Sequence, residues 1–383
     1  MKRLPILLAG GLALAVVGCT DDDETMPTPT NALNVVTYNA GLAVGFVPGA
    51  AERVSITSEA IAGLTADVIC VQEYFLPAQV TALETAAASS YPHTLFLDPD
   101  AGTTGPASCT TADLEDLQTC IEANGCDLVC GDDLVTCALG NCGAELSALP
   151  DDCYGCIQAN IGKPVDEIMS ACLSESAEYA YGGGFGVGLL SPVPLEDQDS
   201  FVFESTTNRR GVVYAKVSTE IGDVHAFCVH LNAIYSDVEY PKPTGSWEEE
   251  QTAQIADLLA FVESKAGSDG QVVLMGDMNC GPAGPNFVAD TEASYQLLVA
   301  GGLANPYADD PNSQCTFCDE NPLTGTDHDD SVVIDHVLLG NVAGTTTSQR
   351  ILDDPVMVNY CNEDHEVRYS DHYGVRVTIE QPQ

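Results

Sequence analysis

Short apolar runs recur along the chain, and many of them end at a polar residue. A continuous apolar run of this kind is typical of a strand that is buried on both faces of a sheet. We therefore expect β-strands at Leu33–Asn39, Asp67–Glu73, Gly186–Leu190, Gly211–Val217, His225–His230, Val272–Leu274, Val332–Leu339 and Val375–Ile379.

Two segments show the spacing of a helix instead. One is Arg53–Leu64, and the other begins with a capping-box pattern at Ser246–Glu249 and continues to Ala260. In a capping box the serine side chain binds a backbone N–H of the first helical turn. Strands and helices are mixed without strict βαβ repetition. This favours an α/β sandwich, in which two β-sheets pack face to face with helices outside.

The first residues indicate export. A basic start precedes the apolar stretch Leu4–Val17, which is shorter than the ~20 residues of a membrane-spanning helix, so we interpret residues 1–18 as a signal peptide. The end of this stretch resembles the bacterial lipobox, in which Cys19 is lipidated and becomes the mature N-terminus. Residues 19–32 would then be a lipidated tether of a cell-envelope lipoprotein. An ordinary cleaved signal peptide and a secreted protein are the alternative.

Residues 105–180 differ in composition from the rest of the chain. They hold nine cysteines and fourteen acidic residues but a single basic residue, Lys163. Apolar residues at helical spacing in Leu114–Ile121 and Val165–Leu173 indicate two helices. We interpret 105–180 as a Cys-rich, disulfide-stapled helical insertion within one domain of residues 33–383.

Zinc is the alternative to disulfides, because Cys-x-x-Cys pairs occur at Cys153–Cys156 and Cys315–Cys318. Structural zinc sites favour two such pairs at regular separation, whereas the thiols of an exported chain oxidise, so disulfides are favoured. Fifteen cysteines remain when Cys19 is set aside, and an odd number leaves at least one unpaired. Cys70 and Cys228, each inside an apolar strand, are our candidates for unpaired thiols.

The amino-acid composition excludes some classes of function. The chain has 383 residues, and 57 Asp and Glu against 12 Lys and Arg give a formal net charge of -45. Hydrophobic residues make up 45%, enough for a sizeable core, which excludes disorder throughout. A surface this acidic repels polyphosphate backbones and excludes a passive nucleic-acid binding module. Strong acidity also occurs in proteins that must stay hydrated in high salt, and this alternative explains much of the excess of Asp and Glu.

The segment Val272–Asn279 carries the strongest chemical signal. An apolar strand and a glycine are followed by Asp277 and Asn279, whose spacing places both side chains on the same face of an extended segment. A carboxylate there can hold a hard cation, and an amide can orient a phosphate oxygen or a water. An Asx turn after a strand is the structural alternative.

Five other predicted strand ends carry polar groups of the same kind. They are Asn39, Glu73, His230, Asp335 and the pair Asp371–His372. Open α/β sheets place ligands just outside their strand ends, so these side chains can converge on one pocket. Each one alone is typical of a cap or a turn, but coincidence is a poor explanation for the whole set.

Together these segments resemble the endonuclease/exonuclease/phosphatase superfamily, the deoxyribonuclease-like metal-dependent phosphodiesterases that include neutral sphingomyelinases. The resemblance covers residues 33–379, interrupted by the insertion, and implies a four-layer α/β sandwich with its site at the strand ends between two sheets. The matching motifs are Thr37–Asn39, Val71–Glu73, Val229–Leu231, Gly276–Asn279, Ile334–His336 and Ser370–His372.

The resemblance also implies roles in cation and phosphate binding. Glu73 is similar to the principal Mg²⁺ ligand of the family, with Mn²⁺ and Ca²⁺ as alternative cations, and Asp371 would complete the cation site. Asn39 and Asn279 are similar to the amides that position the phosphate and the metal shell. Asp277 would orient the attacking water or bind the metal.

Two histidines complete the implied chemistry. His372 paired with Asp335 resembles a dyad that acts as base or binds phosphate, because imidazole titrates near neutrality and a carboxylate fixes its tautomer. His230 would protonate the leaving oxygen or stabilise the phosphorane charge. Which imidazole is acid and which is base stays open. His336 neighbours Asp335 on a strand and should point away, into a packing role.

Arg210 is the last candidate, either as a contact to a substrate phosphate or in an ordinary salt bridge at a strand start. We therefore expect a monomeric, Mg²⁺-dependent phosphodiesterase without a stable protein partner. Without Lys2 and Arg3, ten basic residues remain, too few to grip a nucleic-acid duplex, so a phospholipid head group such as that of sphingomyelin is favoured. An extracellular nuclease and a non-enzymatic surface binding protein on this scaffold are the alternatives.

Overall fold

Two mixed β-sheets form the centre of the protein in the computed structural model, which describes residues 30–97, 104–129, 133–235, 238, 240–324 and 330–382. The expected signal peptide and Cys19 lie outside the described residues. The strands are β1 (Thr30–Asn39), β2 (Val68–Tyr74), β3 (His93–Phe96), β4 (Thr104–Pro106), β5 (Glu175–Ala177), β6 (Gly186–Ser191), β7 (Glu196–Val202), β8 (Gly211–Thr219), β9 (Gly222–His230), β10 (Val272–Asp277), β11 (Asp335–Gly340), β12 (Thr345–Ile351), β13 (Val356–Tyr360), β14 (Glu363–Val367) and β15 (Gly374–Pro382). The helices are α1 (Ala50–Ala62), α2 (Pro77–Ala87), α3 (Thr111–Asn124), α4 (Asp133–Ser147), α5 (Asp151–Ala159), α6 (Val165–Ser174), α7 (Trp247–Ala266) and α8 (Glu292–Val299).

Strand order brings the polar strand ends together. The first sheet has the order β12–β15–β1–β2–β6–β3, and the second has the order β11–β10–β9–β8–β7. β1 and β2 are parallel, as are β9 and β10, and the other pairs in these two sheets are antiparallel. Parallel neighbours end at the same edge of a sheet. Asn39 consequently lies beside Gln72, and Asp277 lies beside His230.

Alternation along the strands builds the layers. On β1, Val35 belongs to the core between the sheets, whereas Val36 belongs to the outer core beneath α1 and α2. On β10, Val273 lies between the sheets, and Leu274 packs in the outer core with α7 and α8. The layers run helix, sheet, sheet, helix, which confirms the predicted four-layer fold class.

All the predicted strands are present, and the main difference in their bounds concerns Asp335. The run Val332–Leu339 forms a strand only from Asp335 onward, because Val332 pairs instead with Phe317 in an isolated bridge. Asp335 therefore begins β11. The sequence had suggested instead that Asp335 ends a strand. It still reaches the common edge, because β11 is antiparallel to β10 and Asp335 is the partner of Asp277.

The predicted helices form with small shifts at their ends. Ser246 caps α7, and its Oγ accepts a hydrogen bond from the backbone N–H of Glu249 at 3.2 Å. This helix continues beyond Ala260 and ends at Gly267, whose φ of 60° lies in the region that favours glycine. Within the described ranges, none of the helices has the length and apolar character that crossing a membrane requires.

Among the described residues, four disulfides tie the helices of the insertion together. The short strands β4 and β5 pair where the insertion leaves the sandwich. The sequence analysis did not predict α4 and α5, in which cysteines fill several of the buried positions. The four bridges are Cys109–Cys153, Cys120–Cys142, Cys126–Cys137 and Cys156–Cys172.

All four cysteines of the two Cys-x-x-Cys pairs are in disulfides. Cys315 bonds to Cys318, whereas Cys153 bonds to Cys109 and Cys156 bonds to Cys172. The expectation that Cys70 and Cys228 are unpaired is wrong. They bond to each other with their Cα atoms 5.2 Å apart, because β2 and β9 face each other across the two sheets and both side chains point into the layer between them. Among the described cysteines, the unpaired one is Cys280, which is buried.

Candidate active site

The ends of five central strands converge where the two sheets meet. Asn39 closes β1 of the first sheet, and its Nδ2 donates to Oδ2 of Asp277, at the end of β10 in the second sheet, over 2.9 Å. His230 ends β9, and Asp335 begins β11, on either side of Asp277. Glu73 lies at the same edge on β2. The structure therefore brings these predicted strand ends together at one place.

Asp277 is the centre of this arrangement. Its Oδ2 lies 3.4 Å from Nε2 of His230 and 3.9 Å from Nε2 of His372, and its Oδ1 accepts from the backbone N–H of Asn279 at 2.9 Å. Burial, followed by the charge of Asp335, raises the pKa of Asp277 to about 6, against the opposing effect of His372. An oxygen atom bound beside Asp277 would meet an imidazole on each side.

His372 and Asp335 form the dyad that the sequence predicted. Nδ1 of His372 lies 2.9 Å from Oδ2 of Asp335, so the carboxylate accepts and Nδ1 carries the hydrogen. Nε2 lies 3.4 Å from the amide nitrogen of Asn39, which suits a lone pair on Nε2. Burial lowers the pKa of His372, but the nearby charges of Asp335, Asp371 and Asp277 outweigh it and hold the pKa well above its usual range.

His230 has a basic partner, which the sequence did not predict. Nη1 of Arg210 donates to Nδ1 of His230 at 2.7 Å. A guanidinium can only donate, so Nδ1 accepts and the hydrogen of the neutral ring lies on Nε2, facing Asp277. Burial, then the charges of Arg210 and His372, hold the pKa of His230 well below its usual range. The pairing follows from β8 and β9 being antiparallel, with Gly211 opposite His230.

Glu73 and Asp371 form the acidic side of the site. Glu73 has a φ of 65°, unusual for a residue with a side chain, and its buried Oε2 has no hydrogen-bond partner. Burial, followed by the charge of Asp371, raises the pKa of Glu73 to about 7. Oδ1 of Asp371 accepts from Ser370 at 3.0 Å, and a Cβ atom at Gly41 would lie 2.1 Å from that oxygen. A buried carboxylate with one unpartnered oxygen beside a second acid fits a divalent cation.

The loop before β11 supports the dyad, and nothing in the sequence pointed to it. Thr316 Oγ1 accepts from the backbone N–H of Asp335 at 3.2 Å, and the ring of Phe317 lies 4.8 Å from that of His372. Asn321 donates to the backbone carbonyl of Asp371 at 3.0 Å. These residues are distant in the chain from the motifs they hold, so no local pattern could reveal them.

Two further residues show where the predictions hold and where they remain untested. Asn279 has a φ of 48°, and its Nδ2 donates to the carbonyl of Leu231 at 2.9 Å, so its proposed contact to a phosphate stays a prediction. His336 points away from the site, as the strand periodicity predicts. Its Nε2 lies 2.8 Å from the carbonyl of Cys280, its Nδ1 lies 2.9 Å from Nδ2 of Asn305, and burial lowers its pKa to about 4.

Comparisons with known proteins agree with this geometry. The model of the Endonuclease/Exonuclease/phosphatase family matches residues 36–372, and no curated protein matches the chain. Sphingomyelinase C from Streptomyces griseocarneus has a similar structure, with a TM-score of 0.54 and 19% identity over 92% of this chain and 100% of that one.

Two other solved structures are similar. A beta toxin from Staphylococcus aureus with bound magnesium ions has a TM-score of 0.54 and 13% identity over 90% of this chain and 98% of that one. The protein SmcL has a TM-score of 0.56 and 13% identity over 91% of this chain and 99% of that one. At these identities the likeness establishes the fold.

Proposed function

Because the chain belongs to the endonuclease/exonuclease/phosphatase family, whose members hydrolyse phosphodiester or phosphate ester bonds, we propose that it is a Mg²⁺-dependent phosphodiesterase that cleaves phospholipid head groups. The observation that carries the proposal is the buried Asp277 between two imidazoles of opposite character, His230 and His372, beside Glu73, whose Oε2 has no hydrogen-bond partner. Together they supply a hydrogen-bond donor, a proton acceptor and a cation ligand at one point.

Each side chain then has a defined role. Asp335 holds the hydrogen of His372 on Nδ1, so Nε2 can accept the proton of the attacking water. Arg210 holds the hydrogen of His230 on Nε2, so this neutral ring donates a hydrogen bond to the leaving oxygen and stabilises its developing charge. Asp277 orients the water between them, and Asn39 holds Asp277 in place.

Glu73 and Asp371 would hold the divalent cation, together with Asn39, which hydrogen-bonds to Glu73, and Asp277, which accepts from Asn39. When bound, the cation would neutralise charge on the non-bridging phosphate oxygens. Asn279 would complete the phosphate contacts. Arg210 is 2% exposed and is engaged with His230, which supports an indirect role for it over a direct grip on phosphate.

Charge supports a phospholipid over a nucleic acid. A protein that binds a duplex neutralises several phosphates with Lys and Arg, and this chain has 12 such residues against 57 acids. Arg209 stacks over Phe185 at 4.3 Å, and Arg53 donates to backbone carbonyls such as that of Tyr369. The similar Sphingomyelinase C and the magnesium-bound beta toxin support the same substrate class and cation.

The disulfides support a location outside the cytoplasm. We propose that the protein is exported, is anchored to the cell envelope through lipidated Cys19, and acts there as a monomer. Mass spectrometry of the membrane fraction tests the anchor, because an N-terminal peptide that begins at a diacylated Cys19 supports it and a free N-terminus elsewhere contradicts it.

A substrate panel tests the proposed reaction. Purified mature protein is incubated with sphingomyelin, other phospholipids, plasmid DNA and soluble phosphodiesters, with Mg²⁺ and with EDTA. We expect release of the phosphorylated head group from phospholipid only with Mg²⁺, and a weaker Mg²⁺ response in Glu73→Gln than in the exposed control Glu52→Gln. Cleavage of DNA but not lipid would establish the nuclease alternative, and full activity in EDTA would refute the cation site.

A further inference from the structure

A cavity of about 970 Å³ lies between the Cys-rich insertion and the sandwich, and none of the proposed catalytic residues lines it. The insertion contributes aliphatic side chains to one wall, among them Leu117, Ile121 and Ile168. The sandwich contributes Val44 and Trp247 to the other wall. Disulfides fix the helices that supply the insertion side, so the shape of the cavity is built into the fold.

The apolar side chains that line the cavity favour an apolar ligand. Apolar walls without partner atoms forfeit dispersion contacts, and water in such a space finds too few polar partners. The volume matches that of pockets that enclose small ligands. The cavity reaches the surface beside Leu139 and Leu173, which are 38% and 39% exposed. A long aliphatic chain could enter there.

The charges at the rim restrict the head group of such a ligand. Glu122, Asp127 and Asp166 are exposed at the cavity, against the single basic residue Lys163, whose Nζ donates to Oδ1 of Asn160 at 2.6 Å. Three carboxylates disfavour a free fatty acid, because like charges repel. A neutral or zwitterionic lipid is compatible with this rim.

The cavity is connected to the catalytic site by shared segments. Asn208 lines the cavity, and Arg210 of the site follows two residues later, which an extended chain spans in at most ~7 Å. From the site, Phe75 lies 6.5 Å from the ring of His230 and stacks on Tyr181 at 4.6 Å. Tyr181 in turn donates to the carbonyl of Val44, in the cavity wall, at 3.1 Å.

We propose that this cavity binds a long aliphatic chain of the lipid whose phosphodiester lies at the catalytic site. The binding of an aliphatic chain follows from the cavity itself, and the identity of that chain as part of the substrate rests on the proposed function. The insertion thereby acts as a chain-binding module that selects lipids over soluble phosphodiesters.

Binding can be measured without catalysis, because Trp247 is the single tryptophan of the chain and lines the cavity. The mature protein is titrated in EDTA with dodecyl maltoside brominated on its alkyl chain, below its micelle concentration. Bromine in contact with the indole quenches its fluorescence. We expect saturable quenching that unbrominated dodecyl maltoside and maltose do not produce.

Variants locate the bound chain. Leu139→Asp and Leu173→Asp place a charge at the cavity mouth and should raise the half-quenching concentration at least about tenfold. Leu297→Asp is the matched control, because Leu297 is 45% exposed on α8 and does not line the cavity. All three should melt at similar temperatures. Absence of quenching, or equal quenching in every variant, would overturn the proposal.

Hydrolysis assays identify the source of the chain. Leu173→Asp should lower kcat/KM for long-chain sphingomyelin and leave kcat/KM for a soluble phosphodiester unchanged. If the brominated detergent quenches the fluorescence but Leu173→Asp changes kcat/KM for neither substrate, the cavity binds a separate amphiphile. That result would overturn the proposal that the bound chain belongs to the substrate. If the wild-type protein hydrolyses no substrate, the proposed function fails, whereas the quenching result still decides whether the cavity binds an aliphatic chain.

Discussion

His372 and Asp335 offer the most direct test at the level of single residues. Removing an acid or base group typically costs 10²–10⁴-fold in rate, so His372→Ala should lower kcat on that order and leave the Tm nearly unchanged. His336→Ala is the control, because His336 is fully buried between Cys280 and Asn305 and its loss should lower the Tm. Loss of activity in His336→Ala alone would contradict the site.

The pH profile should report the same dyad. The charge of Asp335 helps to hold the pKa of His372 above its usual range, and a base acts only when deprotonated, so kcat/KM should rise with pH and reach half its maximum above ~6.5. Asp335→Asn removes that charge and should move this limb to lower pH. Both proteins are measured at saturating Mg²⁺, and an unmoved limb would argue against His372 as the base.

Arg210 should set the protonation of His230. Arg210→Gln removes a positive charge 2.7 Å from Nδ1, so the pKa of His230 should rise, as measured by NMR titration of the ring nitrogens. Loss of the preferred tautomer should lower kcat/KM at least about tenfold. Arg209→Gln is the adjacent control, because Arg209 stacks on Phe185 and does not contact the histidine. An unchanged His230 pKa would refute the pairing.

At the level of elements, the Cys70–Cys228 bridge joins β2 of one sheet to β9 of the other, near Glu73 and His230. The bridged residues are 158 positions apart, and removing a bridge over so long a loop should cost about 3–5 kcal/mol of unfolding free energy. Replacing both cysteines by alanine should therefore lower the midpoint of denaturant unfolding.

The bridge Cys315–Cys318 provides the control for this experiment. Its cysteines are only 3 positions apart, so its removal should cost about 2 kcal/mol. Equal losses for the two double variants would show that loop entropy does not explain the effect of the inter-sheet bridge.

The elements were predictable where their signal is local. Strands such as β2 and β10 begin as continuous apolar runs, and the acidic residues near their ends, Glu73 and Asp277, mark the site edge in the sequence itself. The exposed strand β7 lacks such a run, because all its residues are exposed, and no pattern in the sequence predicted it. Hydrophobic periodicity reflects the burial of side chains, so it does not indicate a strand whose residues are all exposed.

At the level of the whole molecule, the net charge of -45 should make stability depend on salt. Repulsion between like charges destabilises the compact state and is screened as ionic strength rises. We therefore expect the Tm to increase with NaCl concentration between low and molar salt, as measured by calorimetry. A Tm that falls over this range would mean that attractive ion pairs outweigh the repulsion.

The sequence by itself determined the layers and the chemical groups of this protein. Apolar runs indicated the strands, and the polar residues at or beside their ends pointed to Asn39, Asp277, His230 and His372 in advance, because strand ends in such folds meet at one edge. The convergence of these residues could be predicted without knowing the exact distances between them.

Only the tertiary structure decided which groups are partners. Arg210 reaches His230 because two antiparallel strands place them side by side, and Cys70 meets Cys228 because two sheets face each other. The cavity against Trp247 exists only where the insertion folds back on the sandwich. Such pairings depend on contacts between residues far apart in the chain, and local patterns of hydrophobic and polar residues carry no record of them.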